Sequence, residues 1–229
     1  VTQLDYEFGR LVSTIDDMGD GDDTFIMFTS DNGPETLNRY PGAWRSHGSP
    51  GPLRGMKLTM WEGGYRVPGI VRWPKKVEAG QVSHEPICGV DVLPTLCELA
   101  GAEVPTDRPI DGASIYPALE ARPLDRSVPL HWHYFNAMDW PKASLRDGDW
   151  KIVGMPASQY EQRVGGGFEP EKSNLIKQLT LDSFELYNLR HDLSESTDLS
   201  EQEPKRLKTM AAKLTRLHEE VKAESPSWA

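Results

Sequence analysis

At 229 residues, 38% hydrophobic and 26% charged, with a mean hydropathy of -0.55, the chain has the composition of a folded globular protein of one large or two small domains. A formal net charge of -10 argues against a nucleic-acid partner, which takes a basic stripe. No apolar run approaches the roughly 20 residues that cross a bilayer.

The chain opens VTQLDYEFGRLVSTIDDM. Val1, Leu4, Phe8, Leu11, Val12, Ile15 and Met18 recur mostly at three- and four-residue steps, which predicts a helix with one apolar face. An opening in mid-helix, with no targeting segment and no initiator Met, predicts a piece of a longer polypeptide and leaves its cellular location open. The acidic stretch IDDMGDGDD follows. It is not an EF-hand loop, because the twelfth residue from Asp16 is Met27 where a glutamate is required. A solvated connection is expected there.

An apolar strand over 24–30 then ends abruptly in Asp31-Asn32-Gly33-Pro34. Two readings stand side by side. Asn-Gly and Gly-Pro punctuate turns, and Asp and Asn bond their own backbone. Asp31 and Asn32 also offer oxygen ligands to a hard cation at the carboxyl end of a strand, where open α/β sheets place their sites. A long irregular loop over 32–56 leads to LRGMKLTMWEGGYRVP (53–68), which gathers Arg54, Lys57, Glu62 and Arg66 around two glycine turns. A cation site and a lysine near one strand edge suit an anionic ester.

GYRVPGIVRWP predicts a second strand, with Pro68 at its start or on a sheet edge. Asp91 is a candidate N-cap for the helix VLPTLCELA, and Gly101 its C-cap. Helices alternating with apolar strands suggest a parallel sheet of βαβ type. Cys88 and Cys97 are too few for a metal cluster and are expected as buried free thiols.

From about residue 127 the pattern changes to short alternating strands: VPLHWHYF, then ASLRDGDWKIVG folded around an Arg-Asp-Gly-Asp turn, then FELYNL. The last segment carries Leu207, Met210, Leu214, Leu217 and Val221 on one helical face. A boundary near ARPLDRS gives two domains, 1–126 and 127–229, the second an antiparallel sheet closed by a helix. The polar, Gly-rich stretch 155–174 is longer than an ordinary connection. His131 and His133 share one strand face, a spacing that could bind metal, but have no third ligand in sequence, so packing or an exposed face is expected. His47 lies in the loop between the two motifs. Trp132, Trp140 and Trp150 are expected in the core of the second domain rather than as a sugar platform.

FTSDNGPET, GPLRGMKLTMWEGGYRVPGIVRWP, DVLPTLCELAG and IDGASIYPAL together resemble the C-terminal half of the sulfatase family, with a pattern closest to arylsulfatases and N-acetylgalactosamine-6-sulfatases. LRDGDWKIV and ELYNLRHDLSESTDLSE resemble that family's C-terminal subdomain. The resemblance covers nearly the whole chain in order. It implies an α/β fold, the C-terminal part of an alkaline-phosphatase-like sulfatase, with a small α+β subdomain of antiparallel strands and a closing helix.

The resemblance further implies that Asp31 and Asn32 ligate a divalent cation, usually Ca2+, and that Lys57, the lysine of G-x-K-x-T, contacts the sulfate of a sulfated small molecule or glycan. Glu62, Gly63, Gly64 and Arg66 match EGG-x-R and are expected to shape the loop. The family nucleophile is a formylglycine made within C/S-x-P-x-R. Neither cysteine fits that motif, and the other two metal aspartates also belong to the N-terminal half. Asp16 and Asp17 do not replace them. The chain alone is therefore expected to be inactive. Family members are often exported; oligomeric state is left open. A phosphoesterase or phosphonate hydrolase of the same superfamily, and a non-catalytic sulfated-glycan-binding relative, are the alternatives.

Overall fold

The computed structural model describes residues 1–37, 40–157 and 175–226, and the chain divides into two compact units that are discontinuous in sequence. The first comprises Val1–Ser30 and Pro68–Val128, the second Asp31–Val67 and Pro129–Ala229.

In the first unit, helix α1 (Thr2–Asp17) follows the predicted spacing. Its apolar face is mostly exposed, with Leu4 at 59% and Leu11 at 53%, while Phe8 packs against Phe28 at 4.8 Å between ring centroids. Phe28 lies in β1 (Ile26–Thr29), which pairs with β2 (Gly69–Arg72). Ile26 faces Arg72 and Thr29 faces Gly69. The pairing is antiparallel, which corrects the expectation of a parallel sheet. A parallel pair needs a crossover connection, usually a helix, between its strands, and among the described residues only short helical turns lie between β1 and β2. Pro68 sits just before β2, as a residue without a donor should.

Helix α2 (Val92–Ala100) ends on Gly101 at φ 67°, the left-handed C-cap that glycine favours. Asp91 occupies the N-cap position, but its side chain does not cap this helix. Instead its carboxylate accepts two 2.6 Å bonds from the Arg126 guanidinium and one each from the amides of Cys88 and Ala113. A half-buried arginine pulls an acceptor away from local capping, because a two-pronged charged pair outweighs a neutral amide bond. Cys88 and Cys97 are free, as expected, but half-buried rather than buried.

The second unit is built on a sheet in the order β3-β4-β5-β6, antiparallel throughout: β3 (Leu130–His133), β4 (Ala143–Asp147), β5 (Trp150–Pro156) and β6 (Leu181–Asn188). Asp147 faces Trp150 across a two-residue turn, and Gly148 takes φ 61° there, as such turns require. Helix α3 (Pro204–Glu224) closes one face with Met210, Leu214 and Leu217 buried. Leu214 comes so near β5 that a Cβ on Gly154 would stand 3.2 Å from it. On the other face Val153, Met155 and Tyr187 cluster with Trp61, and Trp140 packs against them. Trp132 stacks on Tyr65 at 4.3 Å and Trp150 lies under the Arg206 guanidinium at 4.2 Å, so all three tryptophans pack within this unit. From residue 158 the stretch 155–174 lies outside the described residues. No described helix is long and apolar enough to cross a membrane.

Candidate functional site

Asp31 and Asn32 follow β1 after Ser30, and the next residues lock onto the loop that carries Lys57. Gly33 N–H donates to the Gly64 carbonyl at 2.9 Å, and Lys57 N–H to the Pro34 carbonyl at 2.8 Å. Thr36 Oγ1 donates to the Lys57 carbonyl at 2.5 Å. A Cβ on Gly33 would lie 1.9 Å from the Gly63 carbonyl oxygen, so only glycine permits this close approach. The two sequence motifs thus share one set of backbone bonds. The Lys57 ammonium stands 3.8 Å from Glu35, a partner not singled out in the sequence although it lies within FTSDNGPET. Asp31 is exposed and Asn32 and Lys57 half-buried. His47 is exposed.

The Lys57 loop is also held from below. Glu62 is 1% exposed and lies 3.2 Å from Lys151, 3.4 Å from Arg66 and 3.6 Å from Arg146. Burial alone would raise its carboxyl, but Lys151 and then Arg146 overcome that and bring it below the usual range. Lys151, fully buried, reaches Glu195 at 2.6 Å, and Glu195 accepts from the Glu62 amide at 2.7 Å. Burial raises the Glu195 carboxyl, with Lys151 opposing. Arg54 stacks on Trp61 at 3.5 Å and donates to the Glu195 carbonyl at 3.0 Å. Glu62 and Arg66 therefore shape the loop, as the EGG-x-R match implied. Lys151 and Glu195, the other half of the clamp, carried no signal in sequence.

A second cluster joins β3 to α3. His131 Nδ1 lies 3.0 Å from His133 Nε2, His133 Nδ1 lies 3.4 Å from His218 Nδ1, and His218 Nε2 lies 3.1 Å from the Leu179 carbonyl. The carbonyl only accepts, so His218 Nε2–H donates to it, and His133 and His131 each donate through Nδ1 along a chain of neutral rings. The third histidine is present, yet His133 meets its neighbours with opposite nitrogens, so the three do not converge on one point. Among the described residues no group of three or more His, Cys, Asp or Glu is placed to hold a metal.

Burial, with His131 and His218 adding to it, pushes His133 down to about 3. The unfolded chain therefore binds a proton here below about pH 6.5 that the folded chain refuses, so stability falls as pH drops through that value. At pH 5 the loss from this residue is about 2 kcal/mol at 1.36 kcal/mol per pH unit. Urea unfolding at pH 7.5 and pH 5 should show it, and His133→Leu should flatten the difference.

The sequence profile "Sulfatase" matches residues 1–102, and "N-sulphoglucosamine sulphohydrolase, C-terminal" matches 56–224. Rat (Rattus norvegicus) steryl-sulfatase is 42% identical over 137 residues, 60% of this chain and 24% of that protein. Human (Homo sapiens) N-acetylgalactosamine-6-sulfatase is 39% identical over 129 residues, 56% and 24% respectively. The chain thus spans about a quarter of the length of these curated relatives. Among solved structures, Ps i-CgsB superposes with a TM-score of 0.71 at 25% identity, over 96% of this chain and 41% of that one. A protein solved with its substrate D-glucosamine-2-N,6-O-disulfate gives 0.65 at 27% identity, over 97% and 40%. The chain belongs to the sulfatase family and forms a C-terminal part of its alkaline-phosphatase-like α/β fold.

Proposed function

We propose that the complete polypeptide is a sulfuric ester hydrolase that removes sulfate from an aryl or carbohydrate sulfate ester. The observation that supports it is the set of backbone bonds joining the Asp31-Asn32 loop to the Lys57 loop, in a chain of this family. Asp31 and Asn32 fit a hard cation such as Ca2+ in kind, since both offer oxygen and neither a thiol nor an imidazole stands in the motif. They supply part of a shell that typically holds about six to eight oxygens. A bound cation supplies positive charge to the sulfate oxygens. A formylglycine, expected elsewhere in the complete polypeptide, supplies the nucleophile.

This chain's own part is to bind and to neutralise. Lys57 holds a sulfate oxygen and offsets negative charge that builds up during S–O cleavage. Glu35 keeps the ammonium in place while no anion is bound, and the Glu62 clamp keeps the loop from drifting. The 229-residue chain alone should release no sulfate, and the complete polypeptide should release it from an aryl sulfate. In the complete enzyme Lys57→Ala should lower kcat/KM by about 100- to 1,000-fold, the scale of losing one charge-stabilising donor, with bound metal unchanged. Turnover left intact by Lys57→Ala would remove this role. Release of phosphate but not sulfate would replace the proposed reaction with a phosphoesterase.

A further inference from the structure

The turn that follows Lys57 is held in a conformation its sequence resists. Leu58 has φ 74°, a left-handed backbone that costs a residue with a Cβ about 1–2 kcal/mol. Two contacts from the segment between β3 and β4 hold it there. Met138 N–H donates to the Leu58 carbonyl at 2.8 Å, and the buried Met60 donates its N–H to Asp139 Oδ2 at 2.8 Å. On the opposite side Lys57 is bonded through both its N–H and its carbonyl to Pro34 and Thr36. The lysine backbone is therefore gripped between the loop that begins at Asp31 and the Met138-Asp139 segment.

Asp139 is an unfavourable residue for a purely structural task. Its Oδ1 is buried with no hydrogen-bond partner, and burial pushes its carboxyl up to about 6. Lys142, which lies near it, spends its ammonium on the carbonyls of Ala137 and Asp139. A buried acceptor left half-satisfied costs stability, and an asparagine would accept from Met60 without that charge.

We propose that Asp139 is a positioning residue for Lys57: by accepting from Met60 it fixes the strained Leu58–Met60 turn, and so the point from which the Lys57 ammonium reaches its anion. The inference rests on the sulfate-binding role proposed for Lys57. In the complete enzyme, kcat/KM on an aryl sulfate and inhibition by inorganic sulfate separate the two. Asp139→Ala should lower kcat/KM about 10- to 100-fold and weaken sulfate inhibition about tenfold, the effect of displacing a binding group by an ångström. Asp139→Asn, which keeps an acceptor, should stay within about threefold on both.

Melting temperature should not follow that order. The folded carboxyl titrates above its unfolded value, so stability is lost as pH rises through about 6. Asp139→Asn should therefore melt above the wild type at neutral pH and level with it near pH 4. If Asp139→Ala does not fold, Asp139→Ser, whose hydroxyl is too short to reach Met60, carries the same expectation. The proposal is overturned if the variant lacking the acceptor keeps both constants while Lys57→Ala loses them, or if Asp139→Asn fails as badly as Asp139→Ala. Both constants unchanged in Lys57→Ala would instead remove the role of Lys57, and the positioning role with it.

Discussion

Asp31→Ala in the complete enzyme is expected to lose bound divalent metal and nearly all turnover, by more than about 1,000-fold, since a metal's charge stabilisation is worth several kcal/mol and about 4 kcal/mol is a thousandfold in rate. The expectation follows from the residue's placement. Asp31 is the second residue past the end of β1, at an exposed position, and the residues after it carry the bonds to the Lys57 loop. Gly33 makes the close approach to Gly63, and Pro34 and Thr36 hold Lys57. A truncated Asp31 thus takes away a ligand while the bonds made by Gly33, Pro34 and Thr36 stay in place. The folded enzyme should keep its melting temperature in the presence of chelator to within about 2 °C, because an exposed substitution is usually worth within 0.5 kcal/mol. Metal analysis and an aryl sulfate assay on one preparation decide the matter. Full turnover with metal retained would take Asp31 out of the coordination shell, and the reading of Asn32 beside it would have to stand alone.

Much of the framework was legible because it is written in local chemistry. Helix α1, the Gly101 cap and the turn at Gly148 each follow from a spacing or from a backbone that only glycine takes easily. The relation of β1 to β2 was not legible, because alternation of helices and strands does not specify what the intervening 31–67 segment does. Asp91 reads as a cap because capping is local, and Arg126, far along the chain, overrules it. The site shows the same division. Asp31 and Asn32 are marked by their oxygens at a strand end and, with Lys57, by the family resemblance, and the structure joins their loops. Glu35, Asp139, Lys151 and Glu195 depend on which segments cover which faces of the sheet. In β5, Lys151 shares its face with Val153 and Met155. Nothing in the alternation reveals that the Lys57 loop lies over that face and buries a charge.

That buried charge leads to the largest expected effect on stability. Lys151→Met should destabilise the protein by about 3–5 kcal/mol, the usual consequence of removing one partner from a buried ionic group. At about 2–4 °C per kcal/mol for a protein of this size, the melting temperature should fall by roughly 10 °C. Methionine fills nearly the same space, so the loss comes from charge: Glu62 and Glu195, 1% and 0% exposed, are left without the cation between them. Arg146 and Arg66 still face Glu62, whereas Glu195 loses its ion pair. Two further variants separate charge from packing. Adding Glu195→Gln to Lys151→Met should recover most of the loss, since the amide still accepts from the Glu62 N–H and no unpaired charge remains. Glu195→Gln alone should cost less than Lys151→Met. Non-additivity of this kind is expected for groups in contact or in one ionic network. A melting temperature for Lys151→Met within about 1 °C of the wild type would mean that water reaches Lys151, and that the clamp under the Lys57 loop is weaker than its geometry implies.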